Sequence, residues 1–470
     1  MGGVQAPAKL LGLSTGQSLR AYTYTRGTPR VAADWAEQLR TLFGYPVTRG
    51  FASYTSGSMF HDGATINATD WTVKLLNAAA VGSALIGGNT SSSERIAGNY
   101  WYNDADYTAE TGRAEETSGS WGPLARAAFA LITANPGLSF VDWGQGETDS
   151  GQLTWPFVND ASNPKNALYK TVNKALFTAL RTTAGNPNLP IFITHLGRSQ
   201  VATNGGYQAL RDIQTEIASE MANVIIGAEQ YDVRMAAAAQ TLNAGITSGS
   251  LVVTMASTTG WGVNDAIEGP GIPAGAYVAS VQTNVSVTMA AGFEATATST
   301  STVYRMDSVH PYPGATPPQV LDTAGNTTHD TAEGLYAINR RLARAIAAYA
   351  GFGSVSKWRG PSIASASAPV NGSTVDLAIA HDGGSDVSVP NIVAPYRVEL
   401  DGVSKTISSV AKINASTIRL TLSAPVAAGV VKVWYGFGAM NRRVPTDFVR
   451  DNATPLVMPL RPIAGLVATR

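Results

Sequence analysis

The sequence predicts an α/β fold: a layered domain built on a largely parallel sheet, a small all-β insertion within it, and a C-terminal β-sandwich. Three observations carry this reading. From Lys9 to about Ala350, short apolar runs alternate with stretches of helical period, the rhythm of strands joined by crossover helices. Between about Thr241 and Thr302 that rhythm stops. The chain becomes rich in Thr, Ser, Val and Gly and alternates with period two, as in Leu251-Val252-Val253-Thr254-Met255 and Val285-Ser286-Val287-Thr288-Met289. After Gly351-Phe352-Gly353-Ser354 it shifts again, to short strands broken by turn signals at Asn371-Gly372, Asp382-Gly383-Gly384 and Asp401-Gly402. At 470 residues the chain exceeds what one hydrophobic core serves. The expected division is 1–240 for the first part of the α/β domain, 241–302 for the insertion, 303–353 for its last part and 354–470 for the accessory sandwich.

Taken in order, Leu10 to Leu13 is the first strand, an apolar run entering the small-residue turn Ser14-Thr15-Gly16-Gln17-Ser18. Val31 to Phe43 is an amphipathic helix, with Trp35, Leu39, Leu42 and Phe43 on one stripe and Gly44 as its stop. Tyr45 to Ala52 reads as the second strand, followed by the loop Ser53-Tyr54-Thr55-Ser56-Gly57-Ser58. Asn67 to Gly119, with its Asn, Ser and Gly content and the cluster Tyr100-Trp101-Tyr102, reads as a long surface excursion. Leu124 to Thr133 is a helix, Leu138 to Trp143 a strand, and Gly144 to Asp149 the loop after it. Then come a helix (Ala167 to Thr183), a strand (Pro190 to Thr194), a helix (Gln208 to Met221), a strand (Val224 to Ala228) and, beyond the insertion, the helix Thr331 to Tyr349. Five strands with crossing helices form a doubly wound sheet, whose ligands sit beyond the carboxyl ends of the strands. That rule gathers Ser18, Gly57 and Gln145 at one edge.

Composition narrows the function. Lys plus Arg and Asp plus Glu each number 33, so the formal net charge is zero and there is no electrostatic footprint for nucleic acid or an anionic membrane. Only 14% of residues are charged, a mild surface that suits a neutral, hydroxyl-rich partner such as a polysaccharide. There is no cysteine, which removes disulfides, thiolate nucleophiles and thiolate metal sites together. No apolar run approaches the roughly 20 residues that span a bilayer. The start, Met1-Gly2-Gly3-Val4-Gln5, lacks the basic and apolar regions of a signal peptide, so export is expected by another route or from a leader lying upstream. No coiled-coil heptads are seen.

A serine attacks an ester only if its hydroxyl stands clear of a rigid element, beside N–H groups that take up the charge forming on the carbonyl oxygen. A strand ending in Gly16-Gln17-Ser18 supplies that, and Ser18 is the candidate nucleophile. Gly12-Leu13-Ser14-Thr15-Gly16 also matches the G-x-S-x-G elbow, which would select Ser14, but that elbow follows strands of a sheet already formed, and here only eleven residues precede it. The base comes from five histidines. His61 and His381 have no carboxylate at useful spacing, and His195, at a strand end, reads as structural. In Asp307-Ser308-Val309-His310-Pro311 a carboxylate and an imidazole stand three apart, so the aspartate can fix the ring's tautomer while the other nitrogen faces the serine. His329, in Thr328-His329-Asp330 before a helix, is the rival base.

These stretches resemble the SGNH/GDSL hydrolases, and within them the sialate O-acetylesterase-like carbohydrate esterases. Gly16-Gln17-Ser18 is similar to that group's first block, Trp143-Gly144-Gln145-Gly146-Glu147-Thr148-Asp149 to its W-x-Q-G-E-[ST]-D block, and Asp307-Ser308-Val309-His310-Pro311 to its D-x-x-H-P block. Leu210-Arg211-Asp212-Ile213-Gln214 resembles the helix motif before the fifth strand. The resemblance covers roughly 9–240 and 303–350. It implies a flavodoxin-like three-layer sandwich and a carbohydrate O-acetylesterase with Ser18, His310 and Asp307 as the catalytic set. The oxyanion hole would be the N–H of Ser18, that of Gly57 and the side-chain amide of Gln145, with Glu147 and Asp149 bracing their loop. No cofactor or metal is implied. Leu19 departs from the Asn common in the group. The run Gly269-Pro270-Gly271-Ile272-Pro273-Ala274-Gly275-Ala276-Tyr277-Val278 resembles β-modules of phage tail and other surface proteins. The expected partner is therefore an acetylated polysaccharide or glycan, without nucleic acid or membrane. The expected setting is extracellular or virion-associated, with a homo-oligomer in the latter case. Trp101, Trp121 and Trp155 are candidates to stack on sugar faces. The rival expectation is an inert glycan-binding adhesin on an esterase fold.

Overall fold

The computed structural model describes residues 9–16, 30–45, 58–60, 72–80, 83–86, 100–103, 120–156, 164–197, 205–233, 235–240, 242–263, 265, 267–273, 276–300, 302–311, 334–352, 358–393, 395–437, 448–453 and 458–470. Its centre is a six-stranded sheet of β1 (Leu10–Gly16), β2 (Ser58–Phe60), β3 (Val73–Asn77), β4 (Phe140–Gly144), β5 (Ile191–His195) and β6 (Val224–Glu229). The spatial order is β2-β3-β1-β4-β5-β6, parallel throughout except for the antiparallel edge pair β2–β3. Strands β1, β4 and β5 are buried at every position, as parallel strands covered on both faces must be. On one face lie α1 (Arg30–Leu42) and α5 (Gly334–Tyr349), packing Trp35, Leu39, Leu342 and Ile346 against Phe140 and Phe192. On the other lie α2 (Pro123–Ala134), α3 (Pro164–Thr183) and α4 (Gly205–Glu220), packing Ile132, Phe177, Leu180 and Ile213 against Val141, Trp143 and Ile193.

One sequence expectation needs correction. Tyr45, the expected start of the second strand, is coil after α1, the rest of that run lies outside the described residues, and the strand that pairs with β1 on its outer side is β3. Val73, Leu75 and Leu76 of that strand are buried while Lys74 is only partly so. The same finding overturns the surface excursion over 67–119, because Val73, Leu75, Leu76, Leu85, Ile86, Tyr100 and Trp101 are all core residues.

After β6 the chain is antiparallel. Met235–Gln240, Ile267–Glu268 and Val303–Pro311 form a three-stranded sheet, and Leu242–Ile246, Val252–Met255, Ser286–Met289 and Val278–Gln282 a four-stranded one. Ile246, Val253, Met255, Val287 and Val303 give this region its own core. The C-terminal region holds two four-stranded antiparallel sheets, Ser362–Ser367, Thr374–Ala380, Thr417–Leu422 and Ile407–Asn414 in one, and Val403–Lys405, Tyr396–Leu400, Val431–Tyr435 and Ile463–Val467 in the other. They share a core containing Leu377, Leu420, Val398 and Val433. The Asp401-Gly402 turn behaves as its sequence demands: both residues have positive φ, 50° and 81°, closing a two-residue hairpin between Leu400 and Val403. Tyr231, just past β6, packs into the C-terminal core against Tyr435 and Phe448. The buried pair Arg341–Asp232 (2.6 Å) ties α5 to the same turn.

Candidate active site

The carboxyl ends of β1, β3 and β4 meet at one junction. Gly16 closes β1 with φ +118°, and a Cβ there would lie 2.2 Å from the Gly144 carbonyl oxygen, so only glycine fits. The Gly16 carbonyl accepts the Ala80 N–H (3.1 Å) and the Ser83 hydroxyl (3.0 Å), both from the loop after β3. Trp101 Nε1 in turn donates to Ser83 Oγ (3.3 Å), and the Trp101 ring stands edge-on to Trp143 at 5.1 Å. The end of β1 is therefore held from the β3 side by hydrogen bonds to Gly16, and Ser83, one of the two donors, is fixed in turn by Trp101.

Gln145, the first residue beyond β4, is fully buried here. Its Oε1 accepts the Tyr169 hydroxyl (2.8 Å), its Nε2 donates to Asp149, and its carbonyl accepts Gln214 Nε2 (3.1 Å). Burial, reinforced by the Asp149 charge, pushes the Tyr169 phenol well above its ordinary range, so it stays a donor. Asp149 opens a single 3₁₀ turn and is also fully buried. Besides Gln145 it accepts the backbone N–H groups of Leu85 (2.8 Å) and Ile86 (3.0 Å). One carboxylate thus latches the loop after β4 to the loop after β3. Asp149 braces the loop as expected, and it does so across two strands.

The helix motif in α4 serves the same end. Leu210 packs so tightly on Gly146 that a Cβ there would fall 2.2 Å from Leu210 Cδ2. Arg211 donates to the carbonyls of Leu196 (3.0 Å), Gly197 (3.2 Å) and Gly436 (2.8 Å), and Gln214 holds the Gln145 carbonyl.

The sequence candidates fall out unevenly. Ser14 is buried inside β1, its hydroxyl donating to Asp142 Oδ2 (3.0 Å), whose other oxygen accepts Thr194 Oγ1 (3.2 Å). It links three strands from within the sheet and does not stand clear at a turn, which removes the elbow reading. Ser18, Gly57, His61 and His329 lie outside the described residues. In sequence Gly57 directly precedes the antiparallel β2, while the described residues that follow β3, the strand beside β1, are 78–80 and 83–86. Asp307 and His310 lie on the strand Val303–Pro311, whose ladder with Met235–Gln240 breaks between Met306↔Ala237 and Pro311↔Met235. The Asp-His block is thus a bulge in a paired strand, where a free loop was expected, and bulges recur beside active sites.

His195 is buried, with Nδ1 3.2 Å from both oxygens of its register partner Glu229, and its Nε2 has no partner among the described residues. His381 Nε2 meets Ser416 Oγ at 3.0 Å. Of the aromatics, Trp101 is sealed in the core and offers no face to a sugar. Trp121 is half-buried against Tyr102 and Phe129, and half-buried Trp155 packs on Phe437 with the Arg397 guanidinium 5.0 Å from its ring. Among the described residues no cluster of His, Asp or Glu is arranged to hold a metal ion, and no helix is long and apolar enough to cross a membrane.

The fold and this junction define an α/β protein with antiparallel β regions and a buried polar latch at the carboxyl edge of its parallel sheet. No protein-family model matches the chain, and no curated protein does. Among solved structures it is similar to a carbohydrate acetylesterase from Xanthomonas citri at 14% identity, over 97% of this chain and 80% of that one, with a TM-score of 0.46. It is also similar to a protein from Arabidopsis thaliana at 14% identity, over 49% of this chain and 89% of that one, with a TM-score of 0.27. Likenesses this distant assign no activity, and the site is read from its own residues.

Proposed function

We propose that the protein is a carbohydrate O-acetylesterase of the SGNH type, acting on an acetylated surface polysaccharide or glycan outside the cell or on a virion. The observation that carries this reading is the Gln145 amide, fixed between Tyr169 and Asp149 at the strand edge where the β1 chain turns at Gly16. Ser18 follows Gly16 by two residues, a reach of at most about 7 Å. With Ser18 as nucleophile, the pre-oriented Gln145 amide would supply the fixed donor for the developing oxyanion that acyl transfer needs.

Ser18 Oγ attacks the acetyl carbonyl carbon while His310 takes its proton. The oxyanion is met by the Ser18 N–H, the Gln145 amide and a third N–H. The sequence reading assigns that third donor to Gly57. Collapse breaks the bond to the sugar oxygen, which receives the proton from His310. Water, activated by His310, then attacks the acetyl-serine and releases acetate. Asp307 keeps His310 in the right tautomer. A homo-oligomer would be expected if the protein is virion-associated.

The test is acetate release from an activated acetyl ester and from acetylated polysaccharides. Ser18→Ala and His310→Ala are each expected to reduce release by at least about 1,000-fold, given the non-additive weight of nucleophile and base, while His329→Ala retains it. Loss with His329→Ala alone moves the base to that residue. A wild type that binds polysaccharide but frees no acetate makes the protein an adhesin.

A further inference from the structure

We propose that the cleft between the open edge of β6 and the C-terminal β region is a subsite for a sugar carboxylate, gripped by Arg359 and Arg461. The choice of a sugar acid rests on the carbohydrate reading above; the anion site itself does not. The cleft is a cavity of about 810 Å³ lined on one side by β6, including Ile226 and Glu229, and on the other by Trp358, Arg359 and Arg461. A second cavity of about 460 Å³ shares Trp358, Arg359, Ser362 and Arg461 and adds His381 and Asp382. Both arginines therefore line both spaces.

Their juxtaposition is built in by the backbone. Gly360 has φ +81°, and a Cβ there would lie 2.7 Å from the Pro459 carbonyl oxygen, so the two segments touch at a position only glycine allows. One residue further, the Arg461 N–H donates to the Pro361 carbonyl (2.9 Å). Asp382 Oδ2 accepts the N–H groups of Arg359 (2.7 Å) and Gly360 (3.0 Å), pinning the turn. The Arg359 guanidinium sits 5.1 Å from the Trp358 ring centroid, a cation–π contact that limits where it can swing.

The carboxylates that line the same space, Asp212, Glu216 and Glu229 in the cleft and Asp382 in the second cavity, make no direct ion pair with either guanidinium among the described residues. Among the described residues neither guanidinium makes an ion pair or a hydrogen bond, and Arg461 Nε is buried without a partner. Each of these carboxylates has another partner: Asp382 the two backbone N–H groups, Glu229 the His195 ring, Asp212 the Gln208 amide (2.7 Å) and Glu216 the Lys170 ammonium (2.7 Å). Burial, and then the Arg359 charge beside it, push the Arg461 guanidinium below its usual range against the opposing pull of Glu229 and Asp382. Two like charges held together in a chain with only 14% charged residues are relieved by an anion between them. A carboxylate matches the planar fork of either guanidinium. Ser362 and His381 provide hydroxyl-pairing groups, and Ile226, Ile363 and Met458 an apolar wall for the C–H face of a ring.

The experiment is calorimetric titration of the full-length Ser18→Ala protein with oligogalacturonate and with a neutral malto-oligosaccharide of equal length. The expected result is that the acidic oligomer binds at least tenfold tighter than the neutral one, that salt weakens it, and that Arg359→Gln reduces its affinity at least tenfold. Arg359 is exposed, so its replacement leaves the fold intact, and Arg461→Lys, which keeps the charge but not the fork, is expected to weaken binding several-fold. Equal binding of the two oligomers, or unchanged affinity in Arg359→Gln, overturns the proposal. Inorganic phosphate competing as well as monomeric galacturonate overturns the sugar assignment. Hydrolysis of an activated acetyl ester by the wild type is read separately: acid binding without hydrolysis supports the subsite and refutes the esterase, and hydrolysis without acid binding does the reverse.

Discussion

Replacing Asp149 with alanine should both destabilise the protein and disable its chemistry. The carboxylate is fully buried and accepts three donors, the N–H groups of Leu85 and Ile86 and the Gln145 amide. Alanine leaves all three facing an apolar hole. A buried donor stripped of its partner costs about 1–3 kcal/mol, so with partial entry of water the sum is about 4 kcal/mol. That is a large share of a typical total stability of about 5–15 kcal/mol. The assay is urea unfolding, read as the shift of midpoint multiplied by the slope. Asp149→Asn keeps one acceptor oxygen but turns an NH₂ toward a donor, and should fall near half the alanine loss. Activity follows through Gln145: once its amide is no longer aimed, release of acetate from an activated ester should drop by about 100-fold, the usual scale for one oxyanion donor. A variant within about 1 kcal/mol of wild type, with unchanged acetate release, would show that the latch is not what orders this edge.

Two further outcomes follow from charges buried elsewhere. Arg341 and Asp232 are both almost fully buried and paired through two contacts of 2.6 and 2.8 Å, so Arg341→Met strands a carboxylate and should cost about 3 kcal/mol, the lower end for a broken buried pair because Arg450 Nε stays 3.8 Å from Asp232. Adding Asp232→Asn should recover part of that loss in thermal unfolding; equal melting of the single and double variants would refute the account. Asp212 titrates above its ordinary carboxylate range because burial penalises its charge, against the opposing pull of Gln208 and Arg211. The folded state therefore keeps a proton that the unfolded chain, with a pKa of about 3.9, has already released, so this residue makes stability fall as pH rises from about 4 through the folded value. Asp212→Asn, which carries no such proton, should remove that fall in stability above about pH 4, and parallel curves for variant and wild type would contradict the shift.

How much of this was legible beforehand depended on whether local pattern and tertiary role agreed. Helices α2 to α5 and strands β1, β4, β5 and β6 carry strong periodicity and clear stops, and they lie within a few residues of where the pattern puts them. Strand β3 does not, since five residues, Val73–Asn77, supply only three apolar positions inside a stretch dominated by Asn, Ser and Gly, and only pairing with β1 makes them a core strand. The bracing role of Asp149 was legible from its place in a charged strand-end loop. Its partners were not, because the Leu85 and Ile86 N–H groups are backbone donors and leave no mark in side-chain identity. Tyr169 and Gln214, which orient Gln145, sit among the apolar positions of α3 and α4 and read there as helix residues like any other.

The antiparallel region after β6 explains how an Asp-His block so far along the chain can have a fixed address. Met235–Gln240 leaves β6 and Val303–Pro311 returns beside it, with Val303 directly opposite Gln240. The ends of everything between them are therefore one strand spacing apart, about 4.8 Å. Closing a loop costs free energy that grows only with the logarithm of its length, and here the intervening chain folds around its own core of Ile246, Val253, Met255 and Val287. The backbone of Asp307 and His310 is thus set by the register with Ala237 and Met235, immediately downstream of the sheet, and not by what the intervening segment contains. A bulge at that point swings the block out of the ladder while paired residues anchor it on both sides, which gives a D-x-x-H pattern the rigid support that its sequence alone does not reveal.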